Sequence, residues 1–170
     1  MLSGGDPRSL GRAEDAVAQV LERPERFDRL FECVLAPDEI VRMRAADALE
    51  KVLRSRPELA LPYRERLLAE IASIPQPSVQ WHLAQILARV ELTAEQRTRA
   101  IALLWRNLDD YDDWIVVNLT LEALAHFARE DPALRAQLIP ILRRARGSDW
   151  RSIAKRATRL LAQLEDAATA

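Results

Sequence analysis

Pro37-Asp38-Glu39-Ile40-Val41-Arg42-Met43-Arg44-Ala45-Ala46-Asp47-Ala48-Leu49 decides how this chain is read. With Val52 it places apolar residues at 41, 45, 48, 49 and 52, one stripe of a helix spanning 38–55. The same stripe returns three times. Val79, Leu83, Ile86, Leu87 and Val90 form it in a helix at 77–90. Val116, Thr120, Ala123, Leu124 and Phe127 form it at 113–129, and Ile153, Ala157, Leu160, Leu161 and Leu164 at 149–165. The first members are spaced by 38, 37 and 37 residues, and every other member keeps its offset. Leu67 and Ile71, Ile101 and Trp105, and Leu138 and Leu142 align in the helices between, 58–73, 94–108 and 132–146. Helices at 9–22 and 24–35 precede the array.

Composition points the same way. The 170 residues are 49% apolar and 30% charged, enough to bury a core without disulfide or metal. Only four glycines are present, none between Arg12 and Arg146, which excludes most all-β folds and any glycine-rich phosphate loop. Pro24, Pro37, Pro77 and Pro132 stand at helix starts. Thr93, Asp113, Asp131 and Ser148 are candidate N-caps, Thr93 with Gln96 at capping-box spacing. Gly147 is placed as a helix stop. Pro140, inside the helix at 132–146, predicts a kink.

Two antiparallel helices repeating every 37–38 residues resemble the HEAT family of α-solenoids. The 37–49 stretch, with its Val-Arg pair and Ala-Ala-x-Ala-Leu run, is similar to a HEAT first helix. With Trp81-His82-Leu83-Ala84-Gln85 it also resembles small bacterial HEAT-repeat proteins of unassigned function. The resemblance implies an all-α, right-handed superhelix of about nine helices in helical hairpins, an armadillo-like architecture. The implied organisation is a flexible stretch at 1–8, one repeat domain at 9–166 and a disordered tail at 167–170. Within the domain, 9–35 is a degenerate cap, 36–74, 75–109 and 110–147 are repeats, and 148–166 is a terminal half-repeat. The Val-Arg arginine, Arg42, becomes Gln80, Val117 and Ala154 later on. The polar Asp–Arg ladder of HEAT arrays is therefore not maintained at that position, and apolar packing is expected to hold the stack.

The function classes narrow by elimination. The net charge of −1 argues against a generic nucleic-acid binder. Cys33 is the only cysteine, which excludes an internal disulfide or a cysteine zinc cluster and fits a reducing compartment. The longest apolar run, Ala100–Trp105, is too short to span a membrane. The start has no signal-peptide pattern, so a cytoplasmic location is expected. His82 and His126 fall in different phases of the repeat and share no metal site. The Asp109-Asp110-Tyr111-Asp112-Asp113 run lacks the glycine and the spacing of a calcium loop, and is expected as an acidic loop charging the next helix start. No cofactor is expected.

Binding features remain. Trp114 and Trp150 stand at the starts of adjacent first helices and are expected to stack as an edge feature, while Trp105 falls on a core phase. Residues 106–130 hold six acids against two bases, and 131–160 hold eight bases against two acids. Arg151, Lys155 and Arg159 form one stripe opposite the core face. In a HEAT array the second helices line the concave side. There Arg99, Leu103 and Arg106 of one helix and Ile139, Arg143 and Arg146 of the next are expected exposed, Arg106 and Arg143 being repeat-equivalent. An arginine-rich groove with apolar anchors suits an acidic, partly apolar protein or peptide. The expected function is a non-enzymatic protein-interaction scaffold. The alternative is a nucleic-acid-binding solenoid using the basic C-terminal segment. A HEAT-like lyase or glycosylase is a third class, for which no aligned catalytic carboxylate is present.

Overall fold

The computed structural model describes Leu2 and residues 10–169, with side chains through 166. The stretch expected to be flexible, 1–8, lies outside the described residues except for Leu2. Nine α-helices and no strand occur among the described residues: α1 Ala13–Glu22, α2 Phe27–Val34, α3 Glu39–Ser55, α4 Arg64–Ala69, α5 Pro77–Leu87, α6 Ala94–Asp110, α7 Trp114–Ala128, α8 Pro132–Ala145 and α9 Arg151–Thr169. The protein is all-α. Helix α9 continues across most of the segment read as a tail, and Ala170 lies outside the described residues.

The chain divides into two compact units, residues 1–100 and 101–170, the division falling inside α6. In residues 1–100, α3 is central and packs on α1, α2 and α5. Phe31, Leu49, Leu53, Leu67, Leu83 and Leu87 are fully buried there. Tyr63 packs its ring 5.0 and 4.8 Å from those of Phe27 and Phe31, and the Arg66 guanidinium lies over Phe31 at 4.7 Å. In residues 101–170, α7, α8 and α9 pack on one another around Leu121, Leu124, Leu138, Leu142, Leu160 and Leu164. Of the twenty positions in the four recurring stripes, all are buried except Val41, which borders a cavity.

Caps follow the sequence in detail. Asp38 Oδ1 accepts from the Ile40 and Val41 amides at 2.8 and 3.2 Å, and Asp113 Oδ1 does the same for Ile115 and Val116. Asp131 Oδ1 accepts from the Leu134 amide. Thr93 and Gln96 close a reciprocal capping box at 3.1 and 3.3 Å. Pro37 sits one residue before its cap rather than at the first helical position, and Ser148 Oγ accepts from the Trp150 amide in the loop before α9.

One local expectation changes. The helix expected at 58–73 is broken into 3-10 turns at Pro57–Tyr63 and Ile71–Ser73 around the six-residue α4. Pro62 has no N–H to give, so an α-helix cannot run through it without losing a bond. Helix α8 does run through Pro140. The carbonyl that loses its donor there belongs to Ala136, four residues earlier, and both residues are exposed, so water can take the missing donor's place. Helix α8 ends at Ala145, just before Gly147 as read, although Gly147 has no left-handed φ; its amide donates to the Arg144 carbonyl at 3.0 Å.

The glycine that does need its freedom is Gly11, at φ +56°. A Cβ there would sit 3.0 Å from Cζ of Arg44, which is buried and donates to the Leu2 carbonyl at 2.7 Å. Gly11→Ala is expected to cost about 1–2 kcal/mol from the backbone alone. An unchanged denaturation midpoint would show that the turn before α1 relaxes freely.

Ion pairs join helices within each unit, away from the Val-Arg position. Glu14 of α1 pairs with Lys51 of α3. Glu50 of α3 pairs with Arg89 beyond α5. Glu32 of α2 meets Arg66 of α4 at 2.7 Å, and Glu65 of α4 meets Arg99 of α6 at 2.6 Å. In the second unit Glu122 of α7 meets Arg159 of α9 at 2.9 Å and also pairs with Arg156. In each of these pairs the acid comes earlier in the chain and the base later. Arg42 and its successor Gln80 each donate to carbonyls ahead of their own helix, Arg42 to Ala36 and Pro37, Gln80 to Ile71 and Ile74, and Arg42 also donates to Gln76 Oε1 before α5 at 2.8 Å.

Candidate functional site

The arginine face is the first candidate. Arg106, Arg143 and Arg146 are exposed, Ile139 is half-buried, and all four lie in residues 101–170. Arg99 belongs to residues 1–100, where Arg99 and Gln96 both bond the Glu65 carboxylate. The Gln96 bond first, and then Arg99, hold that carboxyl below its usual range. Arg106 lies 3.8 Å from Asp110 and Arg143 3.4 Å from Glu165, so these guanidinia already face acids of the same chain. Such exposed pairs contribute little and exchange readily for a partner's carboxylate.

Leu103 requires a correction. It is 7% exposed and belongs to the core, so it is not an exposed anchor. The buried stripe of α6 is Gln96, Ala100, Leu103, Leu104 and Asn107, while Ile101 and Trp105, expected at its centre, are half-buried flanks. Six consecutive apolar residues leave the phase of a helix open, and here the polar Gln96 and Asn107 lie on the inward side.

The basic stripe is also interrupted. Arg159 is held by Glu122, whereas Arg151 and Lys155 make no ion pair among the described residues. The acidic run is divided between two elements: Asp109 and Asp110 form the last turn of α6, and Asp113 caps α7.

The tryptophan pair forms as expected. Trp114 opens α7, and Trp150 immediately precedes α9 and accepts at its carbonyl from the Ala154 amide. Their ring centroids are 6.4 Å apart with planes 20° from parallel. They are 40% and 55% exposed. Asn118 reinforces the approach of the two helices by donating to Ser152 Oγ at 3.2 Å.

A polar centre in residues 1–100 was not legible. Arg44, Asp47 and Glu50 of α3 are all buried. Lys51 lies 2.9 Å from Asp47, and His82 of α5 stands beside them. The apolar stripe of α3 hid these charges, because the opposite face of an amphipathic helix reads as solvated. His82 is held below its ordinary value by burial first. Asp47, Glu50 and the Gln85 hydrogen bond pull it upward and Lys51 pulls it down. The unfolded chain therefore binds that proton more readily than the folded one. Stability is full above the unfolded value of about 6.5 and falls as the pH drops through it. His82→Gln is expected to flatten this part of the profile in denaturant melts taken between neutral pH and about pH 5. A slope identical to the parent's would assign it to other groups.

Two cavities open in residues 1–100. One, of about 440 Å³, is bordered by Leu2, Val20, Leu30 and Val41 with Arg29 and Cys33. The other, of about 530 Å³, lies among the loops at Leu35–Pro37 and Ser73–Pro75. Among the described residues no group of three or more His, Cys, Asp or Glu is placed to hold a metal ion, and no helix is long and apolar enough to cross a membrane.

No family model matches the chain, and neither the curated proteins nor the solved structures contain a match to it.

Proposed function

We propose that this protein is a non-enzymatic interaction module of the HEAT-like kind, which binds a protein partner. The observation that carries the proposal is the stacked, water-exposed pair Trp114 and Trp150. Large aromatic side chains supply much of the energy of protein interfaces, and these two stand at the starts of packed helices. The 37–38-residue recurrence of buried stripes supports the solenoid class, whose members bind extended partners. The exposed Arg106, Arg143 and Arg146 with the half-buried Ile139 supply a second, acid-seeking surface for the same partner.

Affinity capture from lysate with the full chain tests it. A protein retained by the parent is expected to be lost with Trp114→Ala plus Trp150→Ala and weakened with Arg106→Glu plus Arg143→Glu. Circular dichroism should stay unchanged, since these sites are exposed and such changes usually fall within about ±0.5 kcal/mol. Capture that survives the tryptophan double variant would overturn the proposal.

One observation favours a second reading, nucleic-acid binding: Arg144, Arg146, Arg151 and Lys155 have no ion pair among the described residues. A gel shift that weakens steeply with salt, and disappears in Arg151→Glu plus Lys155→Glu, would establish it instead.

A further inference from the structure

Trp114 and Trp150 do more than leave apolar surface in water. The rings lie near-parallel with centroids 6.4 Å apart, and the two residues are 40% and 55% exposed. An indole face is the best side-chain acceptor for a cation. The chain sets opposite charges beside the two rings. Asp112 and Asp113 directly precede Trp114, and Asp109 and Asp110 end the helix before it. Asp113 is engaged in capping α7 and Asp110 faces Arg106, whereas Asp109 and Asp112 carry no ion pair among the described residues. The C-terminal end of α6, with its partly negative carbonyls, lies in the same stretch. The bases Arg146 and Arg151 flank Trp150 in the chain instead. Trp114 is thus the ring that follows the acidic stretch of the chain.

We infer that Trp114, backed by Trp150, is the docking platform for an arginine or lysine side chain in a basic segment of the protein partner. The cation stacks on the indole and pairs with Asp112. This names the partner's chemistry for the interaction module proposed above and rests on that proposal. A tryptophan has only two side-chain torsions, so little side-chain freedom is lost when the cation arrives. A nucleic-acid strand also stacks on indoles, but it would bring phosphates against Asp109 and Asp112. A proline-rich segment would make no use of these carboxylates.

The experiment tracks the four indole N–H signals of the full-length chain by NMR, assigned with single Trp→Phe variants. The probes are a capped peptide of alternating glycine and arginine, the same peptide with citrulline for arginine, and oligothymidine. The arginine peptide is expected to shift the Trp114 and Trp150 signals and leave those of Trp81 and Trp105 in place, while the citrulline peptide shifts none. Trp114→Leu, which keeps apolar bulk without a π face, should weaken binding about tenfold or more. Asp112→Asn should weaken it severalfold with the fold intact. Equal shifts with the citrulline peptide, shifts with oligothymidine alone, or none with any probe would overturn the inference. If the tryptophan double variant still loses the lysate partner, the interaction module stands and only the cation is wrong. If that capture is also unaffected, both fall.

Discussion

Leu87→Ala and Leu124→Ala are each expected to lower stability by roughly 2–5 kcal/mol. Both side chains are completely buried, and each sits at the same place in the recurring stripe. Leu87 lies on α5 against α3, and Leu124 lies on α7 between α8 and α9. Removing three carbons leaves a space that rigid helices close only in part, so the loss exceeds simple transfer from water. The equivalent change at Leu161, which is slightly exposed on the last helix, should cost less. Urea melts monitored by circular dichroism should rank the three in that order. Leu161→Ala as the most damaging would mean that the terminal helix, not the inner stripe, bears the core.

The second large effect concerns a charge. Glu50 is 1% exposed, and its carboxylate is held by Arg54 at 2.5 Å and by Arg89. Both arginines reach solvent, so they can turn away if the acid is removed, whereas the acid cannot follow them if they are removed. Arg54→Ala plus Arg89→Ala is therefore expected to cost about 3–5 kcal/mol, because it strands a buried anion. Adding Glu50→Gln to that double variant should restore much of the loss, although the same substitution in the parent destabilises. The sign reversal is the diagnostic result. If Glu50→Gln is equally harmful in both backgrounds, the carboxylate matters through its shape or local hydrogen bonding and not through its charge.

These outcomes depend on features that were unequally visible in the sequence. The recurring stripes could be read because five apolar positions kept one phase through four helices, and burial follows them at every position but Val41. The tryptophan stack could be read because Trp114 opens α7 and Trp150 immediately precedes α9, about one recurrence length apart. Helix α4 could not be read as a short piece, since Pro62 can either start a new turn or interrupt one. The phase of α6 was lost because Ala100–Trp105 is apolar all round. The Leu103 anchor was lost with it, while Arg143 and Arg146 lie on α8, and Arg106 is exposed on α6 in spite of the shifted phase. The ion pairs between helices were invisible for a different reason. In a chain this rich in arginine and glutamate many pairings are possible at nearly the same spacing, and only geometry selects among them.

Most of those ion pairs share a direction. Five times a glutamate meets a lysine or arginine 34–39 residues later in the chain. The α3–α4 pair is therefore electrically two-sided, with Glu50 and Glu65 turned to later residues and Lys51 and Arg66 to earlier ones, whereas Arg143 of α8 and Glu165 of α9 pair in the opposite order. A second helix pair built like α3–α4 could follow it with these contacts kept, like links that fasten one way. A hairpin turned end for end would set carboxylate against carboxylate and guanidinium against guanidinium. The electrostatic pattern thus does what apolar stripes cannot: it marks head from tail, and so it disfavours misordered stacking among segments whose cores are nearly interchangeable.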